Sequence, residues 1–184
     1  MPKKKQTVDP SELFLGFWQD EKAFFQYLRG RMRSIWSRYP PKIAFKTPLL
    51  IEKFEGCGVD NPRVKKVGQC NYCKNWFAAS HLEVDHVIAA GGFNPNWNDF
   101  TVWVQRLLLI EGNLQLLCKS CHQCKSLADR VGITFEEAQL RRQIVAFEKL
   151  PVGQQEQILR EKGLEPVKTK KGKSKQYLEK LLSE

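Results

Sequence analysis

The chain has 184 residues, with 30 Lys and Arg against 20 Asp and Glu, a formal charge of +10 and a mean hydropathy of −0.45. Hydrophobic residues at 42% and aromatics at 11% exclude a wholly disordered chain, and no apolar stretch nears the ~18 residues that a bilayer crossing needs. The basic start Met1-Pro2-Lys3-Lys4-Lys5 has no apolar h-region, so a soluble cytoplasmic protein with no membrane partner is expected, and its positive surplus suggests nucleic acid as the partner.

Residues 1–10 read as a disordered basic lead. From Ser11 the apolar pattern is helical: Leu13, Leu15, Phe17 and Trp18 come first, then Phe24, Phe25, Leu28, Met32, Ile35 and Trp36 at spacings of three and four. Asp20 is the expected N-cap of the second helix, and Pro40-Pro41 must end it. Arg29, Arg31, Arg33 and Arg38 make part of this helix strongly positive, and Arg29 and Arg33 are candidate DNA contacts. Glycines and prolines over 43–69 break any period. Short strands and turns are expected from Gln69 to Ile88, followed by a Gly91-Gly92 loop. A helix capped by Asn98 or Asp99 should carry Phe100, Trp103, Val104, Leu107 and Leu108 on one face. Asn113–Leu117 reads as a strand, and Cys118–Arg130 as a turn that becomes a helix. Thr134-Phe135-Glu136-Glu137 is a capping box opening a helix to about Lys149. A shorter helix over Gln154–Glu161 should end at Gly163. Lys168, Lys170, Lys171, Lys173 and Lys175 then suggest a mobile tail with a short terminal helix around Tyr177 and Leu178. The chain thus divides into a basic lead (1–10), a helical N-terminal extension expected to contact DNA (11–66), a central core (67–130), C-terminal helices (131–164) and a basic tail with a short helix (165–184).

Six cysteines without a secretory signal argue for metal ligation over disulfides. Random placement would put about 0.16 of their pairs three residues apart; Cys70/Cys73, Cys118/Cys121 and Cys121/Cys124 are all so spaced. Two such turns can complete a tetrahedron of thiolates around Zn²⁺, and four protein ligands leave no open position, so this zinc should be structural. Cys70, Cys73, Cys118 and Cys121 are the preferred set, because Cys118 stands at a strand end; Cys124 then lies one helical turn further on. Cys57 reads as a small buried apolar side chain. His86 follows Asp85 at the end of a strand just after one cysteine pair, and His122 directly follows Cys121. If one zinc joins the two turns, Asp85-His86 and His122 are drawn toward each other. A carboxylate and an imidazole can then hold a hard divalent ion while a second imidazole deprotonates water. Strand alternation sends Asp85 and His86 to opposite faces, so their cooperation requires a twist or bulge where the strand meets the Ala89–Gly92 loop.

Asp85-His86, Asn113-Leu114-Gln115-Leu116-Leu117-Cys118 and Cys121-His122-Gln123-Cys124-Lys125 resemble, in that order, the HNH endonuclease signature in its four-cysteine zinc form. The likeness covers about a third of the chain, near Cys70–Asp129. Two departures stand out: Ser126 and Asp129 replace the Thr and Glu that the family often has, and the Gly92–Glu111 connection between the strands is long and carries its own helix, so the hairpin need not be tight. The flanks are similar to small phage-encoded HNH proteins, through Arg33-Ser34-Ile35-Trp36-Ser37-Arg38-Tyr39-Pro40 and the Thr134–Ala138 helix start. The resemblance implies an α+β fold: a ββα-metal core over 67–130 with the four-cysteine zinc site, flanked by N- and C-terminal α-helices. It implies a metal-dependent DNA endonuclease with His86 as general base and Asp85 and His122 as ligands of a catalytic Mg²⁺ or Mn²⁺. Asn113 would brace the loop that holds His86, and Lys125 would contact phosphate. Two alternatives stand beside it. One is a non-catalytic, zinc-stabilised nucleic-acid-binding module; the other is a nuclease active only within a phage packaging assembly, with packaging or replication proteins as partners. The oligomeric state is left open.

Overall fold

The computed structural model describes residues 17–109 and 111–183; the basic lead expected over 1–10 and the start of the helix expected from Ser11 lie outside them. The described residues form an α+β structure with two small antiparallel sheets. The chain separates into two compact units, one ending at Lys119 and one beginning at Ser120.

In the first unit, α1 (Glu21–Ser37) starts where Asp20 accepts a hydrogen bond from the Ala23 amide at 2.7 Å, as its place in the sequence predicts. Tyr39-Pro40-Pro41 ends this helix and opens α2 (Pro40–Lys46), since proline is tolerated in a first turn but not in a helix interior. The region read as a helical extension to residue 66 is not helical throughout. After α2 and a short 3-10 turn come β1 (Ile51–Glu52) and, beyond a loop, β2 (Lys66–Gln69), which pairs with β1 and with β3 (Trp76–Ala78). These short strands gave no period because their pairing, not a repeated apolar pattern, makes them.

Strand β4 (Leu82–His86) pairs with β5 (Leu114–Cys118) in unbroken antiparallel register from Leu82↔Cys118 to His86↔Leu114. Between them lies α3 (Trp97–Leu108), as the length of that connection suggests. Its N-cap is Asn96, two or three residues earlier than the expected Asn98 or Asp99; the Asn96 side chain accepts from the Asp99 amide at 2.9 Å. The expected apolar face is present. Trp103 and Leu107 are buried with Ala90, and Phe100, Val104, Leu108, Met32, Trp36 and Phe93 pack around them. Side chains of α1 and α3 thus share one buried, aromatic-rich cluster, and further buried residues lie on β4 and β5.

Helix α4 (Lys119–Val131) follows β5 without a connecting residue. The second unit continues with α5 (Phe135–Glu148), α6 (Val152–Glu161) and α7 (Lys170–Ser183). The Thr134–Glu137 capping box forms as expected. Gly163, at φ +76, ends α6 with the Leu164 amide reaching back to the Leu159 carbonyl. The lysine-rich tail is an ordered helix rather than a mobile segment. Phe147 and Tyr177 stack at 4.4 Å between α5 and α7, and Lys173 is buried against Glu156 at 2.6 Å. An apolar stripe and one buried ion pair override the solvating tendency of the other lysines. No helix among the described residues is long and apolar enough to cross a membrane.

Candidate metal centre

Cys70 directly follows β2, and a tight turn carries the chain to Cys73. The Lys74 amide donates to the Cys70 carbonyl at 3.0 Å, and the Cys70 amide to the Asn75 carbonyl at 3.0 Å. Lys74 takes φ 58, the left-handed conformation such a turn demands. The Asn71 amide donates to the Leu116 carbonyl at 2.8 Å, which sets this turn against β5. Cys118 ends β5 and Cys121 lies in the first turn of α4. The four sulfurs of Cys70, Cys73, Cys118 and Cys121 lie within 4.8 Å of one another. A tetrahedral zinc with Zn–S of about 2.3 Å needs sulfurs about 3.8 Å apart, so the set fits a structural metal such as zinc after small side-chain adjustments.

The sulfurs differ in environment. Burial pushes the Cys70 thiol up, but backbone amides of Cys118, Cys73 and Tyr72 donate to it and outweigh burial, bringing its pKa to about 7. Burial and the neighbouring Cys70 raise Cys73. Amide donors aimed at a sulfur favour the thiolate that a metal requires. Cys124 is buried on α4 outside this set of four, and Cys57 is a buried side chain elsewhere, both as expected. None of the six cysteines is in a disulfide.

His86 is 5% exposed and stacks on Trp36 with ring centroids 4.4 Å apart. Its Nε2 lies 3.0 Å from the Leu107 carbonyl oxygen. A carbonyl only accepts, so Nε2 carries the proton and Nδ1 holds the basic lone pair. The Tyr39 hydroxyl donates to the Leu108 carbonyl at 2.9 Å, so His86 and Tyr39 together satisfy two terminal carbonyls of α3. Asp85 is half-buried on the opposite face of β4, beside Glu83. The alternation is regular and the pairing has no bulge up to His86, so the expected irregularity is not in the strand. Asn113 does brace the loop beyond it: its Oδ1 accepts from the Ile88 amide at 2.8 Å and its Nδ2 donates to the Ile88 carbonyl at 3.1 Å. His122 is half-buried on α4, next in sequence to Cys121.

Lys125, expected as a phosphate contact, is 4% exposed, and its Nζ pairs with Asp129 at 2.5 Å, one helical turn on. Arg29 and Arg33 are exposed on α1; burial and the adjacent Arg29 charge hold Arg33 below the usual guanidinium value. Near the end of α1, Arg31, Ile35, Arg38 and Tyr39 line an open groove.

Two lysines of α2 were missed from sequence. Lys46 Nζ donates to the Ala79 and Leu82 carbonyls at 2.8 and 2.7 Å, and Lys42 Nζ sits 5.1 Å from the centre of the Trp36 ring. Their i, i+4 spacing after Pro40-Pro41 was the available signal. No family model matches the chain, nor does any curated protein or solved structure.

Proposed function

We propose that the chain is a metal-dependent DNA endonuclease of the HNH type, hydrolysing a phosphodiester with His86 as general base. The observation that carries the reading is the setting of His86. It sits at the end of β4 with its tautomer fixed by the Leu107 carbonyl, just before a loop that Asn113 clamps at Ile88, in the stretch of chain enclosed by the two cysteine turns.

In this reading Nδ1 of His86 takes the proton of an attacking water, the P–O bond to the 3′-oxygen breaks, and that oxygen is protonated by solvent. The Leu107 carbonyl holds the imidazole and stabilises the imidazolium, as the orienting member of a catalytic triad does. Asp85 and His122 are the residues that would hold Mg²⁺ or Mn²⁺; a half-buried carboxylate oxygen suits such a hard ion. The ion would supply Lewis-acid stabilisation of the leaving oxygen. Arg29 and Arg33 grip the DNA backbone; Lys125 is not among the contacts. The zinc of the four cysteines is structural, with every position filled by protein.

The burial of His86 under Trp36 favours a second reading: a structural histidine in a zinc-stabilised module that binds nucleic acid without cutting it. Nicking of supercoiled plasmid with Mg²⁺, Mn²⁺ or Ni²⁺, and its loss with EDTA, decides between them. His86→Ala is expected to abolish nicking while zinc content and DNA affinity persist. Undiminished cutting by that variant ends the assignment of the base. Binding without cutting by the wild-type chain favours the module, and activity gained only with packaging proteins favours a nuclease that works within an assembly.

A further inference from the structure

The reading above places no protein cation on the non-bridging oxygens of the attacked phosphate, and α2 brings one to the site. Lys46 commits two of its three N–H donors to the Ala79 and Leu82 carbonyls, which pins α2 beside the start of β4. Lys42 lies one turn earlier on the same helix face. Its ammonium lies 5.1 Å from the centre of the Trp36 ring, and that ring stacks on His86 at 4.4 Å. Trp36 thus contacts both the lysine and the imidazole. Burial pulls the Lys42 pKa down, while the charges of Glu83 and Asp85 act within range in the opposite direction.

We infer that Lys42 is a second cation of the endonuclease site, a catalytic residue whose ammonium binds a non-bridging oxygen of the scissile phosphate and stabilises the charge that gathers there as water attacks. The inference rests on the endonuclease reading. Phosphoryl chemistry depends on positioned cations more than on covalent help. A divalent ion held by Asp85 and His122 would supply Lewis-acid stabilisation, and a lysine ammonium beside it would add a second positive charge for the non-bridging oxygens. Lys46, held by two carbonyls, is committed elsewhere; Lys42 has the reach and the position.

The test uses the full, zinc-loaded chain in single-turnover plasmid nicking at saturating protein and saturating Mg²⁺. Lys42→Met keeps the apolar stem and removes the charge. Its cleavage rate is expected to fall about 100-fold, a typical effect of removing one preorganised stabilising donor, with DNA affinity within about threefold of wild type. Lys42→Arg, which restores a cation, should recover most of the rate. A Lys42→Met rate equal to wild type at saturating Mg²⁺, with only the Mg²⁺ requirement altered, shows that Lys42 merely balances Asp85 and overturns the inference while leaving the endonuclease intact. A loss that lies wholly in DNA affinity overturns it as well. If Lys42→Met fails to fold or to bind zinc, Lys42→Arg decides alone: a folded, zinc-loaded Arg variant must cut, and an inert one defeats the proposal. A wild-type chain that cuts under no condition defeats the endonuclease reading and this inference with it.

Discussion

His86 is held on three sides at once: Trp36 covers one ring face, the Leu107 carbonyl takes the Nε2 proton, and β5 pairs with its backbone. At this scale the strongest prediction concerns Asn113, whose amide closes both polar groups of Ile88. Asn113→Ala should lower nicking by at least tenfold with zinc content unchanged, because the loop beyond His86 loses both hydrogen bonds; plasmid assays beside metal analysis check this, and full activity would leave Asn113 a passive residue. Gly68 makes a stability prediction. A Cβ there would come within 2.8 Å of a Leu82 methyl and 3.2 Å of a Leu116 methyl. Both leucines are buried, so Gly68→Ala should cost about 1–3 kcal/mol, read from urea unfolding. The cysteines separate by position: Cys121→Ser should lose zinc and Cys124→Ser should keep it. Of these residues, the four cysteines were legible because metal ligation demands their spacing. The Lys125–Asp129 pair was visible as an i,i+4 spacing, but the burial of Lys125 was not.

Among the elements, helix limits were read well wherever a side chain within four residues sets them. Asp20, Thr134 and Gly163 act locally, and each does in the structure what its residue type favours. The α3 cap was placed two or three residues late because Asn96, Asn98 and Asp99 are all plausible caps, and the extended backbone at Asn96 makes the choice. Helix α7 is the larger departure. A run of lysines signals solvation, but Lys173 faces Glu156 and the Tyr177 ring stacks on Phe147. The hydrogen bond from Lys173, and then its charge, hold the Glu156 carboxyl below its usual value of 4.5. A carboxylate lowered in the folded state contributes stability above its unfolded pKa and loses it as pH falls through the lower folded value. Glu156→Gln should therefore be less stable than wild type near neutrality, and the difference should shrink as pH falls below 4.5. Thermal melts across that range test the sign; a difference that grows toward acid would contradict the pairing.

For the molecule as a whole, the four-cysteine cluster draws on segments that are far apart in sequence: the turn after β2, the end of β5 and the start of α4. Thiolate ligation and folding are then one equilibrium. One zinc per chain is expected, and Cys73→Ser or a strong chelator should abolish the cooperative melt of the β-strand region. A melting curve unmoved by chelation, in a chain shown to have lost its metal, would mean that the cluster does not hold the fold together.

Cysteine spacing and local capping were enough to predict two cysteine pairs that could hold a metal and several of the helix starts, because each of those depends on groups within a few residues of one another. Tertiary structure alone decided that the lysine-rich end packs as a helix, that Lys125 is buried, that Leu107 selects the tautomer of His86, and that Lys42 stands beside Trp36. The lysine-rich end, His86 and Lys42 each meet a partner from another element, whereas Lys125 pairs with Asp129 within α4; burial is a property of the packed chain rather than of any stretch of it.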